Sequence, residues 1–129
     1  MNKPHAFHKY ERIVSQKTID ELFGGTSSQS LAAFPVRAVF LSKDRAGDEP
    51  PVQLLVSVPK RRLRHAVDRN RVKRQLREAY RQHRELLTEA IPPASCLKVA
   101  FVWLADRRMA TADVAGRIET LLRRIASKL

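Results

Sequence analysis

Positively charged side chains dominate one segment of this 129-residue sequence. Residues 60–84 contain eleven lysines and arginines against two acidic residues, so they carry +9 of the formal net charge of +12. Cations at this density repel one another in a folded chain unless a polyanion offsets them. Arginines outnumber lysines in the segment, and the planar guanidinium group suits phosphate oxygens and base edges. The segment therefore predicts a surface that binds nucleic acid, with an anionic membrane as the next class of partner.

The spacing within this segment predicts a helix with one cationic side. We expect the helix from Asp68 to about Glu89, because Pro92-Pro93 cannot continue it. Counted at about 100° per residue, its apolar side consists of Val72, Leu76, Ala79, Tyr80 and His83. An adjacent arc, about 100° wide by the same count, holds Lys73, Arg84, Arg77, Asn70, Arg81 and Arg74, and Arg71 lies further round. A solvated helix usually mixes charges of both signs, so this row of like charges favours nucleic acid over an ordinary exposed face.

Side chains that could perform acid–base catalysis are few and scattered. His5 and His8 lie near the N-terminus, and His83 lies on the apolar side of the predicted helix. The acidic residues within 44–49 fall in a polar turn, where solvation explains them better than metal binding does. Cys96 is the single cysteine, which excludes an internal disulfide and a multi-cysteine zinc site. We therefore predict no catalytic residue and no metal site in the protein itself.

The rest of the sequence predicts the elements that position the basic helix. Ahead of it we expect a capped helix and two strands, at Ser15–Phe23, Phe34–Leu41 and Val52–Val58. Behind it we expect a strand that is apolar on both faces and a helix capped by Thr111, with a buried stripe of Val114, Ile118, Leu121, Leu122 and Ile125. The short link between the first two strands favours an antiparallel pair, and the strand at Leu97–Leu104 is expected to be central. The order α-β-β-α-β-α indicates an α+β fold with helices packed mainly on one face of a sheet.

Length and hydropathy indicate a single domain. We expect it to span residues 1–129, with residues 1–6 flexible. The longest apolar run, residues 99–105, is too short to cross a membrane. The sequence therefore predicts a cytoplasmic protein without a membrane partner.

Residues in the basic helix also carry a resemblance to a known family. The stretch 66–81, with its Arg-Asn-Arg core followed by Lys-Arg and Arg-Glu, is similar to the signature of the bacterial ribonuclease P protein subunit. Three further segments match that family in the same order, namely 7–13, 19–24 and 56–61. The resemblance implies an α/β sandwich with a left-handed crossover between parallel strands around the basic helix, against the general right-handed rule. It also implies a fourth strand, either short or split from a predicted one.

The family's activity implies specific roles for this chain. It would be the RNA-binding subunit that helps a catalytic RNA remove the 5′ leader of precursor tRNA endonucleolytically, leaving a 5′-phosphate, and it would broaden the substrate range. The chemistry would come from the RNA and its bound Mg²⁺, with one protein per ribonuclease P RNA. RNA contacts are implied at Lys60, Arg61, Arg69, Asn70, Arg71, Lys73, Arg74 and Arg77, and the helical arc adds Arg81. The leader would lie in a cleft formed by Ile19, Phe23, Val36, Ala38 and Phe40.

Two other classes of protein stay open on composition alone. A ribosomal or other structural RNA-binding protein would have the same charge, and a DNA-binding regulator could use residues 60–84 as a recognition helix in a two-fold dimer. The extended signature favours ribonuclease P. Ile19 stands where many family members have an aromatic residue and Ala38 where some have tyrosine, so we expect weaker base stacking in this cleft. Pro59 stands where the family commonly has serine and removes a backbone donor before the basic segment.

Overall fold

The structure, a computed structural model, describes residues 11–129, and the expected flexible segment 1–6 lies outside that range. Its elements, in chain order, are α1 (Gln16–Gly24), β1 (Gln29–Ala33), β2 (Val36–Asp44), β3 (Val52–Ser57), α2 (Ala66–His83), α3 (Glu85–Thr88), β4 (Ser95–Trp103) and α4 (Thr111–Ala126). The predicted α+β class is confirmed. Within the described range, no helix combines the length and the apolar character that a membrane span requires.

The four strands form one sheet in the order β1-β2-β4-β3. β4 is central, as predicted, because its residues are buried on both faces and need neighbours on both sides. β2 pairs antiparallel with β4, and β3 pairs parallel with it, so α2 lies in the connection between two parallel neighbours. The predicted pairing of β2 with β3 is wrong, because β4 lies between them despite their short link. The left-handed sense of the β3–α2–β4 crossover stays a prediction.

The fourth strand is β1, which the sequence pattern did not reveal. Its residues are small or polar apart from Leu31, so they lack the β-branched and aromatic enrichment that marks a strand. β1 pairs antiparallel with β2 across a turn of two residues, Phe34 and Pro35. Two backbone carbonyls at this edge accept hydrogen bonds from arginines of α4. The Ala32 carbonyl accepts from Arg124 Nη1 and the Phe34 carbonyl accepts from Arg117 Nε, both at 3.0 Å.

The main core lies between one face of the sheet and the helices α2 and α4. The predicted stripe of α4 is confirmed, since each of its five residues is completely buried there. Trp103 is also fully buried in this core, and its indole N–H donates to the Arg107 carbonyl at 3.3 Å. Thr111 does not cap α4 as predicted: it is the first helical residue, and its Oγ1 accepts a hydrogen bond from Gln75 Nε2 at 3.0 Å. The buried amide of Gln75 thereby ties α2 to the start of α4.

The opposite face of the sheet packs against α1 and against Ile13 of the segment before it. Ser15 caps this helix as predicted, its Oγ accepting from the Thr18 N–H at 3.4 Å. Leu22 packs with Val39, Leu41 and Ala100 in a second, smaller cluster on this face. A Cβ at Gly25 would lie 2.5 Å from the Glu21 carbonyl oxygen, so the close turn after α1 requires glycine.

The basic helix is shorter than predicted. α2 ends at His83, and the separate single turn α3 follows it, because the chain departs from the regular ladder at Arg84. Glu89 lies just beyond α3, so the expected end near residue 89 holds for the pair of helices together.

Candidate nucleic-acid interface

α2 presents the predicted division between an apolar and a cationic side. Val72, Leu76, Ala79 and Tyr80 are buried in the main core, and His83 is half-buried. The cationic side faces away from the core: Asn70, Arg71 and Arg74 are exposed, and Lys73, Arg77 and Arg81 are half-buried. Burial of the apolar side therefore fixes the direction in which the cations point.

Some of these cations are already bound to other groups of the protein. Arg81 Nε donates to Glu78 Oε2 at 2.9 Å, and Arg84 Nη1 donates to both carboxylate oxygens of Glu11 at 2.7 and 2.9 Å. Within residues 11–129, Lys73, Arg74 and Arg77 form no ion pair with a carboxylate, and neither does Arg71. We call the outward group of Asn70, Lys73, Arg74 and Arg77 the docking arc. Among the described residues, no carboxylate forms an ion pair with the cations of the docking arc.

Arg69 has a structural role that the sequence did not indicate. Its Nη1 donates to the backbone carbonyls of Leu63 and Arg64 at 2.9 and 2.8 Å. The Pro59 carbonyl accepts from two N–H groups of the same loop, which leads from β3 into α2. Arg69 therefore holds the loop in the place where Lys60 and Arg61 are exposed beside the start of α2. The predicted RNA-binding residues are thus brought together along α2 and the loop before it.

The sequence prediction placed the cleft residues of β2 on the wrong face of the sheet. Val36, Ala38 and Phe40 are at most 2% exposed and belong to the main core under α2 and α4. They cannot line an open cleft, so their assignment is wrong. Side chains alternate along a strand, and a register error of one residue exchanges the two faces. The signal that could have set the register was Arg37, whose charge excludes it from the core.

The residues of β2 on the face that carries α1 are Arg37, Val39, Leu41 and Lys43, and Lys43 Nζ donates to Glu21 Oε1 of that helix at 3.0 Å. α1 covers Val39 and Leu41 but leaves a row of residues across the sheet uncovered, consisting of Ala32, Arg37, Val102 and Ser57, which are paired in register. Arg37 is exposed, and its Nε donates to Ser30 Oγ at 2.9 Å.

From α1, Ile19 is half-buried against the smaller cluster, as predicted for a residue facing the sheet. Phe23 lies one turn further along the same side and is 46% exposed. Phe23 of α1 and the row of Arg37, Val102 and Ser57 lie on the same face of the sheet and are not buried, and we refer to them together as the open groove. It combines an exposed ring, an apolar floor and a cation, and the loop that carries Lys60 and Arg61 begins just after Ser57.

Lys98, whose side chain lies on this face, is engaged by other groups of the protein. Lys98 is 4% exposed and donates to Glu49 Oε2 at 2.7 Å and to the Gln53 side chain. The hydrogen bond from Lys98 lowers the pKa of the Glu49 carboxyl, and burial raises the pKa of the Cys96 thiol. Among residues 11–129, no three histidine, cysteine or acidic side chains come together in a group that could hold a metal ion.

The fold and the surface define the class: a small α+β protein that presents an arginine-rich helix to nucleic acid. Residues 7–128 match the profile of the family described as Ribonuclease P. The "Ribonuclease P protein component" of Porphyromonas gingivalis strain W83 is 34% identical over an alignment that covers 100% of this chain and 94% of that protein. The component from Chlorobium phaeobacteroides is 33% identical, covering 81% of this chain and 75% of the relative.

Solved structures of the same family share the fold. The ribonuclease P protein of Thermotoga maritima superposes with a TM-score of 0.64 at 20% identity, covering 88% of this chain and 96% of that one. The Staphylococcus aureus protein superposes with a TM-score of 0.62 at 22% identity, covering 89% of this chain and 94% of that one. The chain belongs to the ribonuclease P protein family. Membership makes it an RNA-binding subunit of an endoribonuclease ribonucleoprotein that acts in tRNA processing, with the ribonuclease P RNA as its partner.

Proposed function

We propose that the docking arc holds the ribonuclease P RNA while the open groove holds the 5′ leader of precursor tRNA. The observation that carries this proposal is the division of the surface. The cations of the docking arc, which have no ion pair within residues 11–129, lie along α2 on one side of the sheet, and the open groove with its exposed ring and its cation lies on the other face. Two RNA-binding surfaces on one domain allow the subunit to contact its RNA partner and the substrate together.

The docking arc suits a folded RNA because its contacts are with phosphates. Arginine and lysine that replace condensed counterions make binding strongly dependent on salt. Arg74 is exposed, and Lys73 and Arg77 keep part of their surface open, so each can reach a backbone phosphate. Asn70 supplies an amide among these cations, which can hydrogen-bond a base edge or a sugar.

The open groove suits a single strand rather than a duplex. Unstacked bases bind to flat or apolar surfaces while cations hold the backbone, and stacking contributes about 1–3 kcal/mol per base. Phe23 and Val102 supply the apolar surface, and Arg37 supplies the cation. Among the three, only Phe23 offers a ring for stacking, which agrees with the expectation of a weakly aromatic cleft.

We assign the chemistry to the RNA. Mg²⁺ prefers phosphate oxygens and water to an all-protein cage, so the metal ions of the assembled enzyme are expected on the RNA. This chain's residues position the substrate and reduce phosphate repulsion, which allows metal ions to bind at lower concentration and broadens the substrate range. The expected cleavage is hydrolysis that leaves a 5′-phosphate, by one protein per RNA, in the cytoplasm. The family assignment favours this role over that of a ribosomal or other structural RNA-binding protein.

The test compares precursor tRNA with and without a leader in the reconstituted holoenzyme. Phe23→Ala should weaken binding of the leader-bearing substrate by about 5-fold or more, the lower end of the stacking range, and Arg37→Ala should weaken it through loss of the cation that holds the backbone. Binding of leaderless tRNA should stay unchanged. Arg123→Ala is the matched control, because Arg123 is an exposed arginine of α4 paired with Glu119, away from the groove. Equal losses for both substrates would refute the assignment of the groove to the leader.

A further inference from the structure

A groove on the helical side of the sheet lies between α2 and the first turn of α4. Its lining residues are Arg71, Arg74, Gln75 and Glu78 of α2 and Thr111 of α4, and we call it the helix groove. The four residues of α2 follow the i, i+3, i+4, i+7 spacing, so they share one side of that helix. The volume is about 390 Å³, near the lower end of the range of about 300–1,000 Å³ that is usual for small-molecule sites. The helix groove therefore has room for a ligand as large as one nucleotide.

The amide group of Gln75 lies at the helix groove with its oxygen unused. Its Nε2 donates to the Met109 carbonyl at 3.1 Å and to Thr111 Oγ1 at 3.0 Å, and these two acceptors fix which end of the amide is the oxygen. Gln75 is 8% exposed, and in the part of the chain that the structure describes its Oε1 has no hydrogen-bond partner. A buried oxygen without a donor destabilises the protein, so a ligand that supplies an N–H here gains binding free energy. The neighbouring Arg71, Arg74 and Thr111 are exposed, so the groove can open to a ligand by rotation of surface side chains.

Cations and hydrogen-bond acceptors line the helix groove together. Arg71 and Arg74 form no ion pair with a carboxylate of residues 11–129, and two exposed guanidinium groups suit a phosphate. The hydrogen bond from Arg81 lowers the pKa of Glu78, so this carboxylate is ionised at neutral pH. Its oxygens offer about four acceptor sites, of which donors from the next turn of α2 occupy three. Glu78 and Gln75 thus each keep an acceptor for an amino group, which a free phosphate could not use.

We propose that the helix groove binds one unpaired nucleotide of the ribonuclease P RNA whose base carries an exocyclic amino group. The inference rests on the proposed docking of RNA along α2, and it adds Gln75 and Glu78, which the sequence analysis did not include among the RNA-binding residues. Arg74 belongs to both the docking arc and the helix groove, so a backbone that follows the arc passes the groove. Unpaired bases of loops and bulges can turn out of an RNA and form hydrogen bonds through their edges. The subunit therefore recognises a base of its RNA partner as well as phosphates.

The test titrates the full-length, ¹⁵N-labelled protein with cytidine monophosphate and with uridine monophosphate. The two nucleotides share the ribose and the phosphate, but the cytosine base has an amino group where uracil has a carbonyl oxygen. The readout is the side-chain amide signal of Gln75 in a two-dimensional NMR spectrum, which reports on this groove and not on the docking arc or the open groove. We expect the cytidine nucleotide to shift that signal to saturation and to bind at least about 5-fold more tightly than the uridine nucleotide, the lower end of the range for recognition of a base edge.

Variants of exposed residues separate recognition of the phosphate from recognition of the base. Arg71→Ala should weaken both nucleotides by the same factor, several-fold, because it removes a cation that holds the phosphate. Glu78→Gln should lower the preference for the cytidine nucleotide, because the acceptor loses its charge. The matched control is Arg123→Ala, which removes an exposed arginine of α4 that pairs with Glu119 and does not line the groove. Binding of both nucleotides should stay unchanged in the control.

Three results would overturn the inference: an unchanged Gln75 signal, equal affinities for the two nucleotides, or equal losses in Arg71→Ala and in the control. A separate measurement, the salt dependence of binding to the ribonuclease P RNA, tests the docking on which the inference rests. If Arg74→Ala reduces the slope of log affinity against log salt by about 0.7–0.9 while the nucleotide test fails, docking on α2 stands and the helix groove alone is wrong. If Arg74→Ala leaves the slope unchanged, docking on α2 is wrong as well.

Discussion

The buried ion pair between Glu11 and Arg84 provides the sharpest test of how the N-terminal segment is held. The Glu11 side chain is 6% exposed and that of Arg84 is 14% exposed. Glu11→Gln keeps the shape of the side chain but removes its charge, so a mostly buried guanidinium loses the carboxylate that it pairs with. We expect this change to destabilise the protein far more than loss of an ordinary surface pair.

The magnitude follows from the burial of the two groups. Removing one partner of a buried pair costs about 3–5 kcal/mol, and the residual exposure of Arg84 favours the lower end, about 3 kcal/mol. Given the unfolding entropy of a domain of this size, each kcal/mol of lost stability lowers the melting temperature by about 4 °C, so the melting temperature should fall by roughly 12 °C. That loss is a large fraction of a typical total stability of about 5–15 kcal/mol.

The assay is thermal unfolding followed by far-ultraviolet circular dichroism at neutral pH. Glu119→Gln is the matched control, because it removes the carboxylate of an exposed pair with Arg123 and should cost less than about 1 kcal/mol. Adding Arg84→Met to Glu11→Gln should recover most of the loss, since no charge then stays buried. A fall in melting temperature no greater than that of the control would refute the reasoning.

Three further predictions concern other contacts. Arg69→Ala should lower the free energy of unfolding in urea by about 2 kcal/mol through loss of its hydrogen bonds to the loop, whereas Arg74→Ala should change it by less than about 0.5 kcal/mol. Glu49→Gln should reduce stability at pH 7. The pKa of Glu49 is lowered in the folded state, so the ionised carboxylate stabilises the folded protein above about pH 4.3, and this stabilisation is lost as the pH falls. The free energy of unfolding in urea should therefore depend less on pH between about 5 and 3 in the variant than in the original protein. Cys96 should react with a thiol reagent many times more slowly in the native protein than in urea, because the thiol is fully buried and its pKa is raised; equal rates would contradict its burial.

Elements with a strong internal pattern could be predicted from the sequence. The stripe of α4 and the two sides of α2 follow helical spacing, so their burial could be assigned residue by residue. β4 was expected to be central because it is apolar on both faces. β1 has no such pattern, and its place depends on pairing with β2, which is a contact between segments rather than a property of either one.

The two functional surfaces also differ in how far they could be predicted from the sequence. The docking arc could be predicted because it lies on one helix, where geometry follows from spacing alone. The groove on the sheet was not assigned correctly from β2, because apolar residues run continuously from Val39 to Leu41 and only the charge of Arg37 marks the register. The roles of Glu11 and Arg69 depend on partners in other segments, and their types alone do not indicate those partners.

The arginines that bind the Ala32 carbonyl of β1 and the Phe34 carbonyl of the following turn have a consequence for how copies of this protein behave at high concentration. An edge strand is the usual place where a second chain adds to a sheet and aggregation begins. Here an incoming strand would have to displace the guanidinium groups of Arg117 and Arg124 and approach a molecule of like charge. Self-association through β1 is therefore disfavoured twice, by occupied acceptors and by repulsion, which helps such a basic protein to stay dispersed until its RNA neutralises it.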